Sequence, residues 1–129
     1  MYRKLNKFVF AIVLCAGVSC GAQVANCDGG EIITGENNHE YCLSNITMNW
    51  WSAFSWCRAN HRTLASITQA CDGVFPGMWT SCDNLKNRFV SRTVWLETPY
   101  KEGLSYTLYE NSRLGTSLRN RTYFYALCF

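Results

Sequence analysis

No two cysteines in this sequence are spaced C-x-x-C, and its two histidines, His39 and His61, stand far apart. A zinc site draws on convergent Cys and His ligands that usually come in close pairs, so no metal ligand is assigned. The signatures of hydrolytic chemistry are missing as well. There is no G-x-S-x-G, and His39-Glu40 runs on into Tyr41-Cys42-Leu43 instead of completing H-E-x-x-H. Nothing sets a nucleophile beside a base, and His61 reads as a helix-terminal residue favoured by the helix dipole. The expectation is a protein with no catalytic residues and no cofactor.

Long apolar runs are absent too. Crossing a bilayer takes ~20 apolar residues, and the longest run, Phe8 to Val18, is about half that. It follows Arg3, Lys4 and Lys7 and precedes the small residues Gly21-Ala22, the layout of a secretory signal peptide over residues 1–22. A secreted, cell-surface or periplasmic domain over residues 23–129 is expected, with no transmembrane segment in the mature form. Cleavage before Cys20 would leave a lipid anchor instead, although Gly17-Val18-Ser19-Cys20 lacks the larger aliphatic residue that begins such a box. Three of the twelve basic residues belong to the leader, so nine remain against nine acidic ones and the formal net charge of +3 disappears. Without a clustered basic face there is no reason to expect a nucleic-acid partner. Repeats and low-complexity tracts do not occur.

What is present is cysteine and aromatic side chains. The roughly 107 residues after the leader suit one domain with a modest core. Six cysteines remain in them: Cys27, Cys42, Cys57, Cys71, Cys82 and Cys128. An even number in a short exported chain implies a disulfide framework formed in an oxidising compartment, with a connectivity that the count leaves open. Glu31 to Thr34 and His39 to Leu43 read as two strands around the turn Gly35-Glu36-Asn37-Asn38, with Cys27 and Cys42 at the feet of the hairpin and suited to a local bridge. Asn49 is placed to cap a helix, with Met48 able to pack on Ala53. Trp50, Ala53, Phe54 and Cys57 then recur at i, i+3, i+4 and i+7, and Ser52, Ser55 and Arg58 turn away. The helix should stop near Asn60-His61, a pair tolerant of left-handed geometry.

Residues 73–83 carry Pro76, Gly77 and Trp79 without a regular period and read as a loop closed by Cys71 and Cys82. Thr93 to Glu97, Tyr106 to Tyr109 and Thr122 to Phe129 read as strands from their β-branched and aromatic content. In the last of these, Phe124, Ala126 and Cys128 form the alternate set expected to face inward.

Trp50-x-x-Ala53-x-x-x-Cys57, followed by Leu64-Ala65-x-Ile67, resembles the first-helix signature of C-type lectin-like domains, and Tyr125-Ala126-Leu127-Cys128 resembles their final strand. Tyr41-Cys42 with Cys27 is similar to the amino-terminal hairpin of the longer members. Val94-Trp95-Leu96 looks like a core strand, and Trp95-x-x-Thr98 looks like small bacterial variants. The resemblance implies an α+β fold, one or two short helices packed on small antiparallel sheets, and a bridge from Cys57 to Cys128. These positions are core-forming, so they speak for fold and not for activity.

Calcium-dependent sugar binding in that family uses Glu-Pro-Asn or Gln-Pro-Asp together with Trp-Asn-Asp, because calcium takes six to eight oxygens. Neither triplet occurs here; Glu97-Thr98-Pro99 is the nearest approach. A calcium-dependent lectin is therefore the weaker alternative to a calcium-independent module that binds an extracellular protein or glycan. A structural subunit of a surface appendage or coat is the other. Binding without metal relies on exposed aromatics, and an aromatic content of 15% exceeds what a small core requires. Trp79 and Tyr100 are the leading ligand-binding candidates, followed by Tyr109 and Asn111, with residues 73–83 and 98–103 as the recognition loops. Each of these rings has the plainer alternative of covering the core, and for Tyr109 that alternative leads. Asn45-Ile46-Thr47 and Asn120-Arg121-Thr122 fit the N-glycosylation sequon.

Overall fold

The computed structural model describes residues 24–73, 83–111 and 113–129. The expected leader 1–22 with the alternative anchor position Cys20, the candidate Trp79 and Cys82 lie outside them. Six strands form one mixed sheet: β1 (Gly30–Thr34), β2 (Glu40–Met48), β3 (Thr93–Lys101), β4 (Leu104–Tyr109), β5 (Leu114–Leu118) and β6 (Phe124–Cys128), in the order β1-β2-β6-β3-β4-β5. All neighbours are antiparallel except β3 and β6, which run parallel at Val94↔Tyr125 and Trp95↔Ala126. The helices are α1 (Trp50–Ala59) and α2 (Ile67–Ala70), with a 3-10 turn at Asp83–Leu85. The fold is α+β, but the small antiparallel sheets expected from sequence are replaced by this single mixed one.

The expected hairpin forms, with Ile33 opposite Tyr41 and Ile32 opposite Cys42. Its turn is closed by Gly35 N–H donating to the His39 carbonyl at 3.0 Å, and Asn38 takes the left-handed conformation at φ 67°. A Cβ on Gly35 would fall 2.7 Å from Asn84 Oδ1, so only glycine allows the turn to dock on Asn84. Asn84, itself buried, donates to Tyr41 Oη and to the Ala70 carbonyl, both at 2.9 Å, and accepts from Asn37 N–H at 2.9 Å. One amide thus pins the hairpin turn, α2 and the 3-10 turn together.

Strand β2 runs five residues beyond the expected Leu43, because its ladder to β6 resumes after a register shift between Leu43 and Thr47. The shift removes a ladder acceptor, and Ser44 Oγ takes its place by accepting from Ala126 N–H at 2.9 Å. The bulged residues Asn45, Ile46 and Thr47 are pushed out to solvent.

Helix α1 starts and ends on the anticipated residues. Asn49 Oδ1 accepts from Ser52 N–H at 2.8 Å, and Trp50, Ala53 and Cys57 are buried with Phe54 partly so. Asn60 closes the helix and His61 sits at φ 58°. Cys57 is bonded to Cys128 and Cys27 to Cys42. Cys71 is also disulfide-bonded. Cys42 and Cys128 are cross-strand partners, so the two bridges lie side by side on one face of the sheet.

Both faces of the central strands are covered. Tyr41, Leu43, Val94, Leu96, Leu108 and Leu127 pack into one cluster, while Cys42, Trp95, Ala126 and Cys128 pack beneath α1 with Met48, Trp50, Ala53 and Cys57. For β6 this corrects the expectation of a single inward set: Phe124, Ala126 and Cys128 do face α1, yet Leu127 is equally buried on the opposite side. Two indoles bolt the layers reciprocally. Trp50 Nε1 donates to the Leu96 carbonyl at 2.9 Å, and Trp95 Nε1 donates to the Met48 carbonyl at 2.8 Å.

Thr107, opposite Trp95 on β4, is fully buried and its hydroxyl has no hydrogen-bond partner among the described residues. A buried hydroxyl left unpaired costs about 1–3 kcal/mol. Thr107→Val keeps the shape and removes the group, so it is expected to raise the free energy of unfolding by about 1 kcal/mol, read as a higher urea midpoint at unchanged slope. A lower midpoint would mean that the hydroxyl is satisfied in solution.

Candidate functional site

The residues singled out in the sequence do not converge. Residues 98–101 belong to β3 and are not a loop; the chain reverses only at Glu102-Gly103, with Gly103 at φ 76°. Tyr100 sits at this end of the β3–β4 hairpin, its ring edge-on to Tyr106 at 5.5 Å and the Lys101 ammonium 5.3 Å from its centroid. Tyr109 pairs with Thr93 at the other end of the same ladder, while Tyr100 follows Pro99, the partner of Ser105. Four or five residues of β4 separate the two positions, roughly 15 Å. Tyr109 and Asn111 do come together, lining a 350 Å³ cavity with Arg92 and Glu110. The Tyr109 ring lies over Gly115, where a Cβ would fall 2.6 Å from its hydroxyl, and Asn111 Oδ1 is engaged by Arg113 N–H at 3.1 Å.

A more coherent surface is built by α1. Trp50 points into the core, so the next residue, about 100° further round the helix, must point away from it. Trp51 is 55% exposed, braced edge-on by Trp50 at 4.8 Å. It walls two concavities. One, of 380 Å³, is shared with Gly103, Leu118, Arg119, Asn120 and Arg121. The other, of 670 Å³, is shared with Ile46, Met48 and Trp56 and rimmed by Ser52 and Ser55. Ile46 on the β2 bulge and Leu118 at the end of β5 are exposed as well, at 66% and 44%. Single exposed apolar residues are ordinary, but three large ones gathered around two clefts with a polar rim have the make-up of a recognition surface.

Arg119 organises this surface. Its Nε donates to Ser105 Oγ at 2.7 Å, its Nη2 to the Leu104 carbonyl at 3.1 Å, and its guanidinium lies 5.1 Å from the Trp50 ring. Its carbonyl accepts from Trp50 N–H at 3.0 Å, and its own N–H donates to the Gly103 carbonyl at 2.9 Å. The β3–β4 turn, the exit of β5 and the start of α1 are therefore held in one geometry. Asn120 and Arg121 follow directly. Both sequon asparagines, Asn45 and Asn120, are exposed.

A fourth cavity, of 570 Å³, is lined by Phe54, Arg58, His61, Arg62 and Phe129 beyond the far end of α1. Its Arg62 is engaged by the carbonyls of Asn26, Glu40 and Phe129. Arg58 stands in the last helical turn, where a cation complements the dipole. Among the described residues no three His, Cys, Asp or Glu side chains are grouped to hold a metal ion. No family model, curated protein or solved structure matches the chain.

Trp51 stands on a helix, not in the loops where exposed aromatics are expected from sequence. The signal was present: a tryptophan one residue out of phase with an apolar i, i+3, i+4, i+7 face is forced into solvent.

Proposed function

We propose that the protein is an exported, non-catalytic binding module of C-type lectin-like architecture, which recognises an extracellular protein or glycan without calcium through the surface around Trp51. The observation that carries this reading is the exposed Trp51 ring, fixed by Trp50 and flanked by Ile46 and Leu118. A rigid aromatic gives large contact area at low entropic cost, which suits recognition without a metal. The bridge between α1 and the closing strand is consistent with the proposed architecture. Disulfides, and the lack among the described residues of a helix long and apolar enough to cross a membrane, are compatible with an extracellular or periplasmic location.

The test is Trp51→Ala in the oxidised protein, probed on arrays of glycans and of extracellular proteins. Binding is expected to fall at least tenfold, while the melting temperature stays almost unchanged because the ring is more than half exposed. Undiminished binding by the variant would remove the proposal. The same apolar surface would also serve a subunit of an appendage or coat. In that case sedimentation of the wild-type protein would reveal concentration-dependent polymers that Trp51→Ala abolishes.

A further inference from the structure

We infer that the ligand held at Trp51 is an acidic saccharide, with its carboxylate or sulfate group bound by the Arg119-Asn120-Arg121 segment; this rests on the reading of Trp51 given above. The 380 Å³ cleft is the relevant half of the surface. It is at the small end of the ~300–1,000 Å³ usual for ligand sites, which suits one or two sugar rings. Its exposed lining is largely apolar, and Trp51 and Leu118 share it with Arg119, Asn120 and Arg121. No carboxylate lines it. Glu102 adjoins it in sequence beside Gly103, with Lys101 on its other side.

Neither arginine is ion-paired among the described residues. The ion pairs among the described residues are Arg88 with Glu36 and Arg92 with Glu31. Arg119 is oriented by Ser105, Leu104 and Trp50, and its Nη1 has no acceptor among the described residues. It is a fixed cation with a free donor edge, and a planar guanidinium is matched in geometry to two oxygens of one anion. Arg121 is exposed and has no partner among the described residues, so it can close on the same group. The positive end of α1 lies alongside.

The combination of flat ring and fixed cation favours a sugar acid over an acidic peptide. A pyranose carries its anion at a set distance from a flat C–H face, so stacking on Trp51 places the anion in one position relative to Arg119. An aspartate or glutamate side chain carries its anion on a flexible stem with no face to stack. The Asn120 amide, both donor and acceptor, complements hydroxyl groups.

The experiment is a glycan array bearing uronate, sialylated and sulfated oligosaccharides beside their neutral parents, probed with the oxidised protein and its variants. Acid-bearing members should be retained in preference to their parents, and retention should weaken as salt is raised. Arg121→Gln should lower retention about tenfold, and Arg121→Lys should recover most of it. Whether carboxylates or sulfates are kept identifies the anion. Equal retention of acidic and neutral members, or indifference to Arg121→Gln, while Trp51→Ala still abolishes binding, would overturn the acidic ligand and leave the Trp51 surface standing. Retention untouched by Trp51→Ala would overturn both, and an array on which nothing is retained would overturn the saccharide.

Discussion

Replacing Cys57 and Cys128 together by alanine is expected to lower the free energy of unfolding by about 4 kcal/mol. The bridge spans a sequence separation of 71, so its loss releases a long loop in the unfolded chain, and both cysteines are fully buried against α1 and β6. Small domains have ~5–15 kcal/mol in total, so a quarter or more of the stability is at stake. The Cys27–Cys42 bridge, at a separation of 15, should cost about 1 kcal/mol less to remove by the same loop-entropy dependence. Urea titrations of the two double variants measure the order directly. If deleting the short bridge proves the more damaging, loop entropy does not set the order, and native packing around Cys42 must be credited instead.

Trp95→Ala is expected to be comparably severe, at about 4 kcal/mol. Trp95 is fully buried on β3, where the sheet changes from antiparallel to parallel pairing, and it packs on Phe124 at 5.2 Å between centroids. Truncation opens a cavity under α1 and also strands the Met48 carbonyl, which accepts the indole N–H. Trp95→Phe separates the two effects, since it retains most of the ring volume and loses only the donor; a cost of about 1–2 kcal/mol is expected. Thermal unfolding of both variants decides the matter, and a Trp95→Ala protein within 1 kcal/mol of the parent would show that the core closes over the gap.

The parts of the fold that could be read from the sequence are those in which short-range chemistry and tertiary packing agree. Asn49 caps α1 because its side chain reaches an amide three residues on, and Asn60-His61 ends it because His61 accepts a positive φ. Strand β5 was not legible. Leu114-Gly115-Thr116-Ser117-Leu118 has a glycine at its second position and little β-branched content, and it is held as a strand by pairing with β4 and by the close approach of Tyr109 to Gly115. Strand β3 runs on through Pro99 because a register shift there spares the ladder bond that proline cannot donate. The two-sided burial of β6 was hidden for a related reason: alternation assigns one face to solvent, whereas a central strand between α1 and the opposite cluster has none. The candidate surface depends on three segments, from β2, α1 and the β5 exit, and only the tertiary fold brings Ile46, Trp51 and Arg121 near one another.

The paired bridges also decide how the protein carries mechanical load. Tension applied outside Cys27 and Cys128 passes through one S–S bond to Cys42, along the backbone to Cys57, and through the other S–S bond to Cys128. Everything between Cys27 and Cys42, and between Cys57 and Cys128, hangs off that path and feels no pull. The roughly fifteen residues that do bear it can lengthen to only about 50 Å before covalent bonds must break. Trp51 lies on the loaded stretch and Arg119 to Arg121 on the slack one, so stretching the molecule draws the aromatic half of the surface away from its cationic half.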